Sequence, residues 1–194
     1  MTVTTGEGKA KGYALWLMPS REARGELAGI ISDIAKEFHG PVFGPHVTLI
    51  SGLAGSREDI IKKTSELARS VRPFKIKLDA VDWTERYFRC LFIRGDKTPE
   101  LMDANKKARR IFGGTSEEEY MPHMSLFYGK LAQKTKEEIK KKIMAKAGRK
   151  FPINFEVKNI RLLLTDGEPK EWRMVKEFPL QLTRTGNSSR CHRT

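Results

Sequence analysis

Cysteine is almost absent from this chain. Cys90 and Cys191 are the only two in 194 residues. A disulfide framework is therefore not what stabilises the fold, and a reducing compartment, cytoplasmic or nuclear, is expected. No apolar run nears the roughly 20 residues that span a bilayer, and the first ten residues lack the apolar core of a secretory signal. No membrane role is expected. Acidic residues are also in deficit, 24 against 37 Lys and Arg, which leaves a formal net charge of +13. That balance disfavours cationic partners and suits anions such as nucleotides or RNA. Lys62-Lys63, Lys106-Lys107 and Lys140-Lys141-Lys142 fall in helical stretches, however, where charge commonly solvates an exposed face. Charge alone names no substrate.

Histidine is scarce as well, with four in all: His39, His46, His123 and His192. No Asp, Glu or Cys stands at ligand spacing beside His46 or His123, which argues against a metal centre. No nucleophile-elbow pattern is present either. No metal or cofactor is expected.

What is present is a repeated string. Pro45-His46-Val47-Thr48-Leu49 and Pro122-His123-Met124-Ser125-Leu126 share the order Pro-His-apolar-hydroxyl-apolar, 77 positions apart. By composition, such a string follows a given histidine by chance about one time in a thousand. On a strand, the period of two puts each His and its Thr or Ser on one face. Proline before the His suits a strand's first residue.

The rest of the chain reads as alternating strands and helices. Tyr13–Pro19 is a buried strand. Ser20 caps a helix to about Phe38, with Leu27, Ile30, Ile31 and Ile34 on its apolar face, and His39-Gly40 ends it. The first motif strand runs from about His46 to Ser51, and a second helix starts at Ser56. Strands are predicted at Phe74–Trp83 and Tyr87–Arg94, then a helix at Pro99–Phe112 closed by Gly113-Gly114. The second motif strand covers His123–Tyr128, a helix spans about Lys136–Ala147, and long strands cover Phe151–Leu164 and Trp172–Leu182.

Strand, helix, motif strand, helix and strand thus occur twice. Phe74-Lys-Ile-Lys-Leu and Phe151-Pro-Ile-Asn-Phe repeat at the same offset as the histidines. The expected fold class is α+β and bilobal. Two pseudo-twofold-related lobes each carry an antiparallel sheet and outer helices, with the site in the cleft between them. Residues 12–183 form this single domain, 1–11 a flexible start and 184–194 a basic, disordered tail.

Paired imidazoles can divide acid–base work, since histidine titrates near neutrality. One neutral ring takes a proton from water while one imidazolium protonates a leaving alkoxide. The Thr and Ser hydroxyls can donate to phosphate oxygens where charge develops. His39 reads as a helix-end residue, His192 as an inert tail residue, Trp83 and Trp172 as core or rim, and Glu117-Glu118-Glu119 as a solvated turn.

The paired His-x-Thr/Ser motifs resemble those of the two-histidine phosphoesterase superfamily. Gly40–Thr48 and Tyr120–Gly129 are most similar to the plant and yeast type of cyclic phosphodiesterase, as is Tyr13–Pro19. The resemblance covers most of residues 12 to 182. It implies metal-independent hydrolysis of ADP-ribose 1″,2″-cyclic phosphate to the 1″-phosphate, a by-product step of tRNA splicing, and of nucleoside 2′,3′-cyclic phosphates to 2′-phosphates. It makes His46 and His123 the acid–base pair, puts Thr48 and Ser125 on phosphate, and places Trp16 and Tyr128 beside the nucleotide. Strict alternation puts Phe127, not Tyr128, on the face of His123, so Tyr128 needs a bulge to reach the site. Plant members often carry disulfide cysteines that this chain lacks, which questions redox control and leaves the chemistry intact. The expected partner of a monomeric enzyme is a small nucleotide-derived cyclic phosphate. The alternatives are a 2′,3′-cyclic phosphodiesterase acting on RNA ends and a catalytically silent RNA- or nucleotide-binding module.

Overall fold

The computed structural model describes residues 8–113, 119–147 and 151–181. Its eight strands are β1 (Tyr13–Leu17), β2 (Val47–Leu53), β3 (Phe74–Trp83), β4 (Leu91–Gly95), β5 (His123–Phe127), β6 (Ile153–Val157), β7 (Asn159–Leu164) and β8 (Arg173–Pro179). The four helices are α1 (Arg21–Phe38), α2 (Arg57–Ser70), α3 (Pro99–Phe112) and α4 (Gln133–Ala147). The fold is α+β, and all strand pairings are antiparallel.

The strand order is β6-β3-β4-β5-β2-β1-β7-β8. It is symmetrical about the β5–β2 seam, which places the two motif strands side by side at the centre. Four strands form the His123 half and four form the His46 half. The halves meet through the pair Val47↔Met124. Only Lys158 separates β6, at one end of the order, from β7, near the other. The sheet must therefore curl until its ends approach.

Helix starts follow side-chain caps. Ser20 Oγ accepts from Ala23 N, Ser56 Oγ from Asp59 N and Thr98 Oγ1 from Leu101 N. Each cap satisfies a backbone donor that the first turn leaves unpaired, worth about 1 kcal/mol. His39 ends α1 at φ 53, with its backbone N–H on Ala35 O, and Gly113 ends α3 at φ 73. α1 buries Leu27, Ile31, Ile34 and Ala35 and packs on β5, whereas α3 packs on β2. Each helix thus crosses the seam. Asn105 of α3 donates from Nδ2 to Leu49 O at 2.6 Å, pinning the strand just beyond Thr48. Leu15, Leu17, Val47, Leu49, Met124 and Leu126 face this helical core. The opposite face carries Trp16, Thr48, His123 and Ser125.

Four sequence expectations are corrected. Tyr87–Arg94 is not one strand, because Tyr87–Arg89 forms a 3-10 turn before β4. Thr84 fixes that turn by donating from both N and Oγ1 to Arg89 O, at 3.2 and 2.7 Å. Phe151–Leu164 splits at Lys158, where the alternation slips phase: Ile153, Phe155 and Val157 give way to Ile160 and Leu162. Trp172 precedes β8 as the residue after a second 3-10 turn, Pro169–Glu171. Phe74 and Phe151 are not twofold mates, since β3 and β6 are neighbours in one half and Phe74 pairs with Val157. The smaller shifts are that His46 stands one residue before β2 and that α4 begins at Gln133. Residues 1–7, Gly114, Glu117, Glu118 and the tail from residue 182, with Cys191 and His192, lie outside the described residues. Glu119 pairs with Lys97 at 2.6 Å, and Lys140 sits over the Trp83 ring at 5.4 Å.

Candidate active site

Each histidine is tethered by the same short loop. His46 Nδ1 lies 2.6 Å from Gly44 O, and His123 Nδ1 lies 2.9 Å from Met121 O. A carbonyl oxygen can only accept, so Nδ1 carries the proton and Nε2 keeps its lone pair. The residue spanned by each bond is a proline, whose fixed φ pre-forms the turn that brings a carbonyl two residues back onto its own imidazole. The turns before the motif strands therefore set the tautomer through Gly44 O and Met121 O.

Burial holds both rings neutral. The His46 pKa falls to about 3, chiefly by desolvation and further by the nearby His123 charge, against the opposing Gly44 bond. Desolvation likewise lowers His123 to about 4, with the Met121 bond opposing and the Arg89 guanidinium adding to the drop. The antiparallel pair Val47↔Met124 sets His46 opposite Ser125 and Thr48 opposite His123 on neighbouring strands, which brings the two imidazoles to one stretch of the sheet. They share one site.

Around them the halves diverge. Trp16 is the cross-strand partner of Thr48, and its indole stacks on His46 at 3.4 Å between centroids and 6° between planes. One indole face is thus occupied by the imidazole, and the ring is only 7% exposed. His123 is half-buried and meets Phe92 edge-on at 5.2 Å. Thr48 is half-buried, and its carbonyl accepts from Tyr120 Oη at 2.9 Å. Burial pushes the Tyr120 hydroxyl pKa up. Ser125 is buried, and its hydroxyl donates to Phe88 O at 3.0 Å.

A bulge brings Tyr128 to the site. Phe92 pairs with Ser125 but Leu91 pairs with Phe127, a register shift that leaves Leu126 as the extra residue on β5. Phe127 therefore turns to the helical core, where it fills the space a Cβ on Gly40 would need. Tyr128 then stacks on Phe43 at 3.8 Å and shares a hydrogen bond with Ser125. Desolvation raises its pKa. Three further rings pack around these residues: Phe43 and Phe88, which the sequence reading did not single out, and Trp172, which it read as core or rim. Phe88 packs edge-on to Tyr128 at 5.2 Å, and Trp172 edge-on to Trp16 at 5.8 Å. Phe43 lies inside the first motif's own string and was legible there. Phe88 and Trp172 needed the 3-10 turns that deliver them.

A curled antiparallel sheet whose two central strands each open on His-x-hydroxyl defines a two-histidine phosphoesterase. Solved structures share the fold. The protein TT0787 of Thermus thermophilus superposes with a TM-score of 0.61 at 17% identity, covering 87% of this chain and 97% of that one. Escherichia coli LigT in complex with 3′-AMP gives 0.56 at 15% identity, covering 89% and 99%. Within that superfamily, residues 11–180 match the family model described as cyclic phosphodiesterase-like protein, and the chain belongs to that family. It is an enzyme, a phosphoric diester hydrolase acting on cyclic phosphodiesters. It is 26% identical over 164 residues to the cyclic phosphodiesterase of Arabidopsis thaliana, covering 84% of this chain and 91% of that one. It is 30% identical over 137 residues to the 2′,3′-cyclic-nucleotide 3′-phosphodiesterase of Kluyveromyces lactis, covering 60% and 64%.

Proposed function

We propose that this enzyme opens small nucleotide-derived cyclic phosphates with His46 and His123 as its acid–base pair. The substrates are ADP-ribose 1″,2″-cyclic phosphate, giving the 1″-phosphate, and nucleoside 2′,3′-cyclic phosphates, giving 2′-phosphates. Water attacks phosphorus in line while the bond to one ribose oxygen breaks opposite. A neutral Nε2 takes the water's proton, and a protonated Nε2 on the other ring gives one to the departing oxygen. Thr48 and Ser125 grip the non-bridging oxygens, and Trp16 and Tyr128 line the nucleotide side. The observation that carries this reading is the duplicated Nδ1-to-carbonyl tether, which offers two Nε2 atoms to one cleft.

At neutral pH neither free Nε2 carries a proton to donate, because both pKa values lie well below 6.5. An anionic phosphate beside an imidazole favours its charged form. Substrate therefore recruits the proton that later leaves on its own oxygen. Ser125 joins the phosphate by exchanging its Phe88 carbonyl for a phosphate oxygen.

A product assay tests the reading by comparing ADP-ribose 1″,2″-cyclic phosphate, nucleoside 2′,3′-cyclic phosphates and RNA ending in a cyclic phosphate. Turnover of the small substrates is expected, and turnover of none would sink it. The net charge of +13 favours one second reading, action on RNA ends, and faster turnover of the RNA would select it.

A further inference from the structure

A groove lies at the outer part of the His46 half, lined by the first turn of α1, the β6–β7 junction and β8. Its charged lining is Arg21, Arg24, Lys158 and Arg161 against Glu156 and Glu177. Glu177 is taken up internally, accepting from Arg161 Nε and Asn159 Nδ2, both at 2.6 Å. That pair holds the Arg161 guanidinium through Nε. Lys158 reaches only an exposed Glu156, at 3.1 Å, a contact of little worth in water. Arg21 and Arg24 stand three residues apart on one helical face. The N-terminal dipole of α1 adds positive potential to the same end of the groove.

Arg161 relates the groove to the sheet face that carries the motifs. Thr48, Trp16 and Arg161 are successive cross-strand partners on β2, β1 and β7. They share one face and span two strand spacings, about 10 Å. A ligand whose cyclic phosphate sits at Thr48 can thus pass Trp16 and place a second anion at Arg161.

We propose that this groove binds a second phosphate of the substrate, carried on C5 of the ribose whose cyclic phosphate is opened. This rests on the reaction proposed above. A cyclic phosphate on two ring hydroxyls leaves C5 as the ribose position that bears another phosphate, whether the first of a diphosphate or that of a preceding nucleotide. Phosphate is the shared chemistry of both.

The test compares kcat/KM for adenosine 2′,3′-cyclic phosphate with and without a 5′-phosphate, in wild type and in Arg21→Gln/Arg24→Gln. Glutamine keeps helix propensity at exposed Arg21 and half-buried Arg24. Wild type should prefer the 5′-phosphorylated substrate by about fivefold, the scale of one exposed charge contact. The preference should shrink with added salt. It should fall toward one in the double variant and return in Arg21→Lys/Arg24→Lys. Equal rates in wild type, or a preference kept by the glutamine variant, would overturn the proposal. If neither substrate is hydrolysed, the reaction itself is misread. The groove is then judged by calorimetric affinity for adenosine 2′,5′-bisphosphate against adenosine 2′-phosphate, with the same two outcomes. Replacing the 5′-phosphate by a 5′-diphosphate-linked nucleoside or by an oligonucleotide identifies the source.

Discussion

The His46 and His123 halves of the site share one backbone device and differ in what is built around it. In both, a proline-centred turn hands a carbonyl to Nδ1 and leaves Nε2 to react. Yet His46 is 4% exposed and lies flat on an indole, whereas His123 is half-buried against a ring edge. Thr48 keeps a half-exposed hydroxyl, while Ser125 is buried and already bonded to Phe88 O. Tautomer and placement thus come from the repeated string itself. Hydration and readiness come from whatever each half packs beside it.

Breaking either tether's histidine should cost most. His46→Ala and His123→Ala are each expected to lower kcat by about a hundredfold or more, the scale of lost acid–base help. Near-wild-type turnover in one variant would reduce the pair to a single working half.

The hydroxyls should separate next. Thr48→Val is expected to lower kcat/KM by about tenfold to a hundredfold, as for a donor aimed at developing phosphate charge. Ser125→Ala should lose less activity and instead about 1–2 kcal/mol of stability, since Phe88 O and the Tyr128 hydroxyl lose a buried partner. Denaturant melts read beside steady-state rates would expose the opposite ranking.

Acid should then reveal the burial difference. The unfolded chain's histidines bind protons below about 6.5, whereas the folded ones resist until about 4 and about 3. Stability is thus fully present above pH 6.5 and declines as pH falls toward 4, because the unfolded state binds more protons there. His46→Gln should flatten that decline more than His123→Gln in melts taken across the range.

Trp16→Leu sharpens the same point at one ring. Without the indole, water reaches His46, and its pKa should climb from about 3 toward the ordinary value, with His123 moving less. A proton NMR titration showing both rings unmoved would remove Trp16 as the source of His46 burial.

The smallest effect expected is none. No group of three or more His, Cys, Asp or Glu side chains gathers among the described residues. Chelation by EDTA should leave both half-sites and turnover unchanged, and a loss restored by added metal would contradict the acid–base reading.

Much of this architecture was legible because local chemistry announced it. Ser20 and Ser56 cap the helices they precede, and the two Pro-His strings lead into the central strands. The bulge that admits Tyr128 was legible only as a need, since its cause is the register of β4. The break at Lys158 left a trace, the slip in alternation between Val157 and Ile160, which resembles a continuous strand unless phase is counted. Phe88 and Trp172 left none. The Phe88 turn is fixed by Thr84 on Arg89 O and by Gly129 N on Tyr87 O, and the Trp172 turn by Glu171 on Glu168 N and by the indole N–H on Gly167 O.

The crossing at Lys158 has a consequence for how the molecule is assembled. The His123 half takes β3 from the segment between the motifs, and the His46 half takes β7 and β8 from beyond both. The His123 half is therefore one contiguous stretch, residues 74–157, inserted between the two parts of the His46 half. The His46 half is complete only after the chain returns from that insertion. Pairing β7 with β1 thus closes the longest loop between neighbouring strands, and it is expected to be the slowest contact to form.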